Sequence, residues 1–226
     1  MVQFGIGQPV PRLEDPRLLT GGGRYTDDLK LENETHAVVL RSPFAHARVA
    51  SIDTTAAKAI PGVLAVYTVD DIKNAGLGTI PCMIPLEQVN GEPLIAPPWS
   101  LLADGIVRHV GDPVAFIVAE SVDLARDGVE AIEIEYEPLP ATTDTATATA
   151  PDAAQVWPDA KNNTSFVWQS GDKQATDEAF SGAAHVVDLE IVNNRIIVNA
   201  MEPRSAIGDW DGERFTLYTP SQGPHG

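Results

Sequence analysis

The sequence predicts a protein of mixed helices and strands, in the α/β or α+β class. Within residues 36–67 and again within 113–137, a strand pattern, a helix pattern and a second strand pattern follow one another. The second segment opens on a continuous apolar run at 113–119, typical of a strand buried on both faces. It closes at 132–137, where apolar residues alternate with glutamates as in a half-exposed strand. Two β-α-β units of this kind indicate a mixed domain.

The composition fits a folded protein and excludes several classes of ligand. Of the 226 residues, 43% are hydrophobic and 21% are charged, which is enough apolar material for a core. The formal net charge of −17 repels phosphate backbones and anionic membrane surfaces, so we expect no nucleic-acid ligand. No apolar run approaches the roughly 20 residues needed to span a bilayer, so we expect no membrane insertion. The N-terminus has no signal-peptide pattern. The single cysteine, Cys82, excludes an internal disulfide and a multi-cysteine metal site and fits a cytoplasmic location.

The first predicted elements follow in order along the chain. Residues 1–35 contain several prolines and a run of three glycines, which predicts an extended arm with tight turns and no helix. Residues 36–41 predict a strand. Residues 53–60 predict a short helix with Asp53 as its N-cap, and residues 63–67 a second strand.

The middle of the chain contains two helix signals, with a long predicted loop between them. Thr68 and Asp71 have the spacing of a capping box, which predicts a short helix that ends at Gly76. Residues 76–105 are rich in proline and glycine and predict a long, ordered surface loop of the kind that is often functional. Ser121 is placed to cap a helix that follows the apolar run.

The last third of the sequence is less regular. Residues 141–164 are rich in Thr, Ala, Asp and Pro and predict a linker or a surface crossing. Asp211-Gly212 between two apolar runs is a strong hairpin signal. Residues 221–226 add no closing element, so we expect the sequence to stop inside a domain. The other elements predicted here are strands at 166–169, 186–192, 195–200, 206–210 and 214–219 and a helix at 174–180.

The residues alone do not define a reaction. None of the five histidines lies three or four positions from another, so no helical metal pair exists and structural roles are favoured. The sequence has neither a Gly-x-Ser-x-Gly elbow nor a Walker-type loop. Cys82 has no basic neighbour in sequence, which favours an inert thiol. The hypothesis that the protein is a small hydrolase would rest only on the presence of carboxylates and histidines.

A series of short motifs carries a more specific signal. They are residues 10–28, 40–49 with Ile52-Asp53, 61–63, 110–115 with 118–120, 136–140, 201–204 and 219–224. In this order and spacing they resemble the molybdenum hydroxylase family, which comprises the large subunits of xanthine dehydrogenases, aldehyde oxidases and aerobic carbon monoxide dehydrogenases. Each motif alone is weak, but together they extend along nearly the whole chain.

The resemblance implies an α+β fold, the α/β hammerhead, followed by the first strands of a mixed α/β cofactor-binding domain. The implied organisation is an N-terminal arm at 1–19, a hammerhead domain at 20–140, a linker at 141–164 and an incomplete molybdopterin-binding domain at 165–226. Three polar side chains are expected to fix turns of the hammerhead through local hydrogen bonds: Ser42, His46 and Asp53.

The resemblance also implies a cofactor contact near the end of the sequence. In the family, the glutamine matched by Gln222 donates a hydrogen bond to a metal oxo ligand, and an amide suits that task because it is a neutral donor. Gly223 would allow close approach of the backbone. Glu202 and Arg204 are expected to form a buried or partly buried ion pair, with a cofactor contact as the alternative. No residue of this chain matches the family's general base, so no catalytic residue and no metal ligand is assigned.

The implied function is that of a component. We expect the N-terminal part, or a split subunit, of a molybdopterin-dependent oxidoreductase that acts on aldehydes, N-heterocycles or carbon monoxide and is inactive alone. The complete enzyme would contain the molybdopterin cofactor, with iron–sulfur clusters and FAD on partner subunits, and this chain alone would bind none of them. The expected partners are the remaining molybdopterin-binding polypeptide, an iron–sulfur subunit and an FAD subunit. The alternative is a non-catalytic scaffold or assembly module that docks through the loop at 76–105.

Overall fold

The computed structural model describes residues 7, 9–84, 86–193, 196, 198–201, 203–221 and 223. The chain divides into two compact units, one formed by residues 1–34 together with 188–226 and the other by residues 35–187. The strands are β1 (His36–Arg41), β2 (Ala47–Asp53), β3 (Val63–Tyr67), β4 (Ile106–Val107), β5 (Pro113–Ala119), β6 (Glu133–Pro138), β7 (Ile207–Trp210) and β8 (Phe215–Tyr218). The helices are α1 (Asp15–Leu19), α2 (Thr55–Lys58), α3 (Val69–Asn74), α4 (Val122–Glu130) and α5 (Lys173–Gly182), with 3₁₀ turns at Thr26–Asp28 and Lys161–Asn163.

Two three-stranded antiparallel sheets form the framework of the larger unit. The first has the order β1-β5-β3, with the apolar β5 in the centre, and the second has the order β4-β2-β6. Ile117 of β5 is fully buried and is paired with Val38 of β1 and Val66 of β3. The strand predicted to be buried on both faces is therefore the central strand of its sheet, but one of its faces is only partly covered, because Phe116 is 37% exposed.

The main core lies between the first sheet and the helices α2 and α4. Ala57 of α2, Ala125 of α4 and Ile132 pack with the buried residues of β3 and β5. A second cluster contains Ala47, Ala103, Val107 and Val114. Phe44 and Tyr136 pack against this second cluster, with their ring centroids 5.0 Å apart. Small apolar residues dominate both clusters, which allows close approach of the elements.

Most of the predicted elements are confirmed. Strands occur at 36–41, 63–67, 113–119 and 133–138, and the hairpin around Asp211-Gly212 is present. The helices predicted at 68–76 and after Ser121 are also present, as is the one at 174–180. Ser121 accepts a hydrogen bond from the Leu124 backbone at 3.2 Å, as expected of an N-cap.

Four local predictions are wrong. The arm contains the short helix α1, which accommodates Pro16 in its first turn, where the missing N–H costs nothing. Asp53 is not the N-cap of α2; the cap is Thr54, and Asp53 Oδ1 instead accepts from Thr55 N at 2.8 Å. Residues 166–169 and 186–192 form no strand; apolar side chains in both segments, such as Trp168 and Leu189, are exposed, so no packing against a core stabilises a strand there. In the predicted strand 195–200, residues 195 and 197 lie outside the described residues and the others are not in a strand.

The sequence did not reveal β2, β4 or the strand pairing. The two β-α-β patterns suggest two separate units, whereas β1 and β3 of the first pattern both pair with β5 of the second. In the other sheet, β2 pairs with β6 and the two-residue β4. The paired residues in these two sheets lie between 49 positions apart, for Tyr67 and Phe116, and 91 positions apart, for Ala47 and Pro138, so the pairing depends on the tertiary fold and leaves no local sequence pattern.

The predicted linker at 141–164 is an ordered crossing. Asn163 Oδ1 accepts from Val156 N at 2.8 Å, and Asn163 Nδ2 donates to the carbonyl oxygens of Ala148 at 2.9 Å and Ala154 at 3.0 Å. The Thr142 hydroxyl donates to the same Ala154 oxygen at 2.6 Å. Side-chain-to-backbone hydrogen bonds therefore replace secondary structure in this segment.

Candidate functional site

The hairpin β7–β8 leads to the segment that the sequence associates with a cofactor. Its turn is closed by Asp211, whose Oδ1 accepts from Glu213 N at 2.9 Å and Arg214 N at 2.8 Å. These two backbone hydrogen bonds hold the pKa of Asp211 below its ordinary value of 3.8. Gly212 has φ +101°, a conformation that favours glycine. The rings of Trp210 and Phe215 stack across the strands with centroids 4.3 Å apart.

After β8, residues 219–221 and Gly223 are exposed. The Thr219 hydroxyl donates to the Ser205 carbonyl oxygen at 2.8 Å, which ties this segment to the start of the hairpin. The Ser221 hydroxyl accepts from Gly223 N at 3.1 Å. Gln222 lies outside the described residues. No atom lies within 4 Å of a Cβ placed at Gly223, so among the described residues packing does not require a glycine there.

A cleft of about 390 Å³ lies between residues 24–29, near the N-terminus, and the end of β8. Its donors are one guanidinium group, from Arg24, and several hydroxyl groups, which together suit a polar or anionic ligand. The last residue lining this cleft, Pro220, precedes Gln222 by two positions in the sequence. The lining residues are Arg24, Tyr25, Thr26, Leu29, Leu217, Tyr218, Thr219 and Pro220.

The remaining candidate residues are not gathered into one site. Glu202 lies outside the described residues, so its expected pairing with the exposed Arg204 does too. Cys82 is exposed, as the loop prediction implies. Across the described ranges, no group of three or more His, Cys, Asp or Glu side chains could hold a metal ion. No helix in the described part of the chain is long and apolar enough to cross a membrane.

Of the three residues expected to fix turns of the hammerhead through local hydrogen bonds, Ser42 and Asp53 do so, whereas His46 bonds to a carbonyl 94 positions away. Ser42 is buried, and its Oγ accepts from Phe44 N at 3.0 Å. The His46 ring, through Nδ1, lies 2.6 Å from the Pro140 carbonyl oxygen, so Nδ1 carries the proton of this bond. Asp53 supports the start of α2 as described above. These side chains hold the ends of β1 and β2 in place and take no part in a reactive cluster.

Two residues with specific surroundings were missed by sequence reasoning. Arg108 follows β4, and its guanidinium lies 3.5 Å from the centroid of the Trp157 ring. Partial burial lowers the pKa of Arg108, although the charges of Asp112 and Asp104 oppose this effect. The Tyr136 hydroxyl is buried, and burial raises the pKa of this tyrosine, although the nearby Ser42 side chain opposes this effect. Arg108 belongs to no motif, and the motif at 136–140 that includes Tyr136 does not indicate the surroundings of its hydroxyl, so no spacing in the sequence could have indicated these contacts.

Comparison with protein-family models shows to which family the chain belongs. Residues 20–140 match the model of the aldehyde oxidase and xanthine dehydrogenase a/b hammerhead domain, and residues 156–226 match the molybdopterin cofactor-binding domain. The chain therefore belongs to the aldehyde oxidase and xanthine dehydrogenase family. Its fold is an α+β hammerhead followed by the first part of a mixed α/β cofactor-binding domain.

Individual relatives support this assignment. The chain is 38% identical to the nicotine 6-hydroxylase large subunit of Paenarthrobacter nicotinovorans, over 97% of this chain and 26% of that protein. It is 35% identical to the carbon monoxide dehydrogenase large chain of Afipia carboxidovorans, over 98% of this chain and 28% of that protein. Among solved structures, quinoline 2-oxidoreductase from Pseudomonas putida 86 superimposes with a TM-score of 0.76 at 37% identity, over 96% of this chain and 27% of that chain. The chain thus spans little more than a quarter of the length of these relatives.

Proposed function

We propose that this chain supplies the hammerhead domain and the beginning of the molybdopterin-binding domain of an oxidoreductase large subunit, and that it is inactive alone. The observation that carries the proposal is the order of the two family matches, residues 20–140 and then 156–226, in a chain covering 26% of the nicotine 6-hydroxylase large subunit. Turnover therefore needs polypeptide corresponding to the rest of the relatives. That polypeptide is either a separate subunit or a continuation of the same chain.

The proposed organisation follows the resemblance of the motifs. An arm at 1–19 precedes the hammerhead at 20–140, and a linker at 141–164 leads to the cofactor-binding part at 165–226. The proposed cofactor contacts are Gln222, through its amide, and the backbone at Gly223. The exposed segment after β8 and the adjoining cleft with its donor groups support this assignment. When bound, the molybdenum cofactor would supply the redox centre at which the substrate is oxidised.

The proposed partners supply what this sequence lacks. A single cysteine cannot hold a four-cysteine iron–sulfur cluster, so electrons would leave through clusters and FAD on partner subunits. The proposed substrates are of the aldehyde, N-heterocycle or carbon monoxide type. Support comes from the names of relatives that act on nicotine and carbon monoxide. The proposed location is the cytoplasm.

The first experiment is to weigh the native polypeptide, recovered from its host together with whatever remains bound to it. A mass near 24.1 kDa with larger partners would indicate a split subunit. A much larger mass would indicate that these residues are part of a longer subunit. Recovery at 24.1 kDa with no bound polypeptide would contradict the proposal.

Site-directed substitution then separates a cofactor role from a docking role. In the reconstituted complex, Gln222→Ala should lower activity by about tenfold or more, because a contact to the metal's ligands is lost. The matched control is Gln174→Ala, which alters an exposed glutamine of α5. Unchanged activity and assembly in both variants would instead favour the scaffold alternative. That alternative has some support in the exposed apolar side chains of the 76–105 loop, such as Met83 and Trp99.

A further inference from the structure

Arg108 connects two parts of the chain that match different family models. It lies within residues 20–140, the hammerhead match, and directly follows β4. Its Nε donates to the Val156 carbonyl oxygen at 3.1 Å, and its guanidinium stacks on the Trp157 ring at 3.5 Å. Val156 and Trp157 are the first residues of the cofactor-binding match at 156–226. One side chain from the hammerhead match therefore contacts the first residues of the cofactor-binding match.

The geometry holds Arg108 in one orientation. Its Nη1 donates to the Ile106 carbonyl oxygen at 3.1 Å, and its backbone N–H donates to Asp112 Oδ2 at 2.9 Å. The guanidinium is a planar group that can stack on an aromatic face and donate in its own plane at the same time. Lysine carries its charge on a compact ammonium group and lacks the planar array of N–H donors, so it cannot reproduce both contacts.

The segment that Arg108 contacts contains little regular secondary structure. Residues 141–164 contain only one 3₁₀ turn, Lys161–Asn163, and depend on hydrogen bonds that converge on Asn163. Val156 is part of this network, because its N–H donates to Asn163 Oδ1. Displacing Val156 would therefore loosen the hydrogen bonds around Asn163 as well.

A second connection lies a few residues further along the chain. Ile95 N donates to the Ser165 carbonyl oxygen at 2.8 Å, and the Ser165 hydroxyl donates back to the Ile95 carbonyl oxygen at 2.7 Å. Val89 N donates to the Val167 carbonyl oxygen at 2.9 Å. The 76–105 loop thus holds residues 165–167 while Arg108 holds residues 156–157.

We propose that Arg108 fixes the entry of the chain into the cofactor-binding region by stacking on Trp157 and donating a hydrogen bond to the Val156 carbonyl oxygen. The hammerhead then acts as the template on which residues 156–167 are ordered, with the 76–105 loop as the second point of attachment. Because all these contacts lie within residues 35–187, the role of Arg108 does not depend on which reaction the complete enzyme catalyses.

The test is amide hydrogen exchange, read by mass spectrometry on the chain as purified from its host with any polypeptide that remains bound. Arg108→Ala should accelerate exchange at residues 156–164 by about tenfold or more, while exchange in β5 stays unchanged. Arg108→Lys should give an intermediate acceleration, because the charge remains and the planar guanidinium is lost. The control is Arg126→Ala, which removes an exposed arginine of α4 and should change neither segment.

Substitutions at Trp157 test the same contact from its other side. Trp157→Leu should accelerate exchange at 156–164 as Arg108→Ala does, whereas Trp157→Phe retains an aromatic face and should largely preserve protection. The double variant Arg108→Ala/Trp157→Leu should exchange no faster than the faster single variant, because both changes remove one contact. Unchanged exchange at 156–164 in both Arg108→Ala and Trp157→Leu would overturn the proposal. Equal acceleration in β5 would also overturn it, because Arg108 would then support the whole unit rather than the entry segment.

Discussion

At the scale of single residues, Gly128 shows how closely the core constrains side-chain size. This glycine lies in the middle of α4, where alanine would ordinarily improve helix propensity by about 1 kcal/mol. A Cβ at this position would lie 2.9 Å from Cγ2 of Ile117 and 3.4 Å from Cγ2 of Val63. Ile117 is fully buried in the central strand and cannot move aside freely. The close approach of α4 to the sheet therefore requires glycine.

We expect Gly128→Ala to lower the free energy of unfolding, because overpacking costs about 1–3 kcal/mol and exceeds the gain in helix propensity. The measurement is urea unfolding followed by circular dichroism. Gly182→Ala is the control: no atom lies within 4 Å of a Cβ there, and it should be neutral or slightly stabilising. A Gly128→Ala variant more stable than the parent would show that α4 is not packed as described.

Asp71 gives a residue-scale prediction of pH dependence. Its carboxylate accepts from Thr68 N at 2.7 Å, and this hydrogen bond is the main reason that the pKa of Asp71 lies below its ordinary value of 3.8. A lowered folded-state pKa means that the carboxylate stabilises the fold fully above the unfolded-state pKa. This contribution falls as the pH drops from 3.8 through the lower folded-state pKa.

The stability difference between the parent and Asp71→Asn should therefore be clear at pH 6 and shrink at pH 3. Urea unfolding midpoints at the two pH values measure it. Asp70→Asn is a suitable control, because Asp70 lies in the same turn of α3 without the capping contact. A difference that is the same at both pH values would contradict the assignment of the capping box.

At the scale of elements, α4 and α5 differ in how they are stabilised. Both have a side-chain N-cap: Ser121 accepts from Leu124 N at 3.2 Å, and Asp172 accepts from Ala175 N at 2.9 Å. Helix α4 buries Ala125 and Gly128 against the core, whereas α5 buries no residue. Tertiary packing therefore couples α4 to the whole unit, while α5 depends on its cap and on pairs along its own surface.

Removing each cap should consequently have a different effect. Ser121→Ala should lower the free energy of global unfolding by about 1 kcal/mol, measured by urea unfolding. Asp172→Ala should leave the global transition unchanged and increase only the amide exchange of α5. Equal shifts of the global transition in the two variants would show that α5 is as firmly packed as α4.

At the scale of the whole molecule, charge is the dominant feature. The formal net charge of −17 on 226 residues makes self-repulsion a general destabilising term. The described ion pairs, such as Lys73–Asp104 and Arg48–Glu137, are largely exposed and offset little of it. Salt screens such repulsion, since the Debye length falls from about 30 Å at 0.01 M to about 8 Å at 0.15 M.

The melting temperature of the chain should therefore rise between low and physiological ionic strength. Differential scanning calorimetry in NaCl at pH 7 measures this effect. The control is the same series near pH 4, where many carboxylates are protonated and the increase should be smaller. A melting temperature independent of salt at pH 7 would mean that repulsion is unimportant in this fold.

The success of the sequence-based predictions depended on the range of the interactions involved. The capping box of Thr68 and Asp71, the cap at Ser121 and the turn at Asp211-Gly212 are local, and all three are confirmed. The strand β2 was missed because its stability comes from β4 and β6 on either side, which lie far away in sequence. For the candidate site, the assignment of Gln222 and Gly223 rests on the resemblance of short motifs and stays a prediction.

The sequence by itself determined the class of fold, the family and the local elements, because periodicity, caps, turns and ordered motifs act over a few neighbouring residues. Only the tertiary structure decided that the two β-α-β patterns interleave into two antiparallel sheets. It also decided that Gly128 faces Ile117 and that Arg108 stacks on Trp157. The strand pairs and the Arg108–Trp157 contact join residues far apart along the chain, and the geometry of all three features follows from the packing of the sheets rather than from any local pattern.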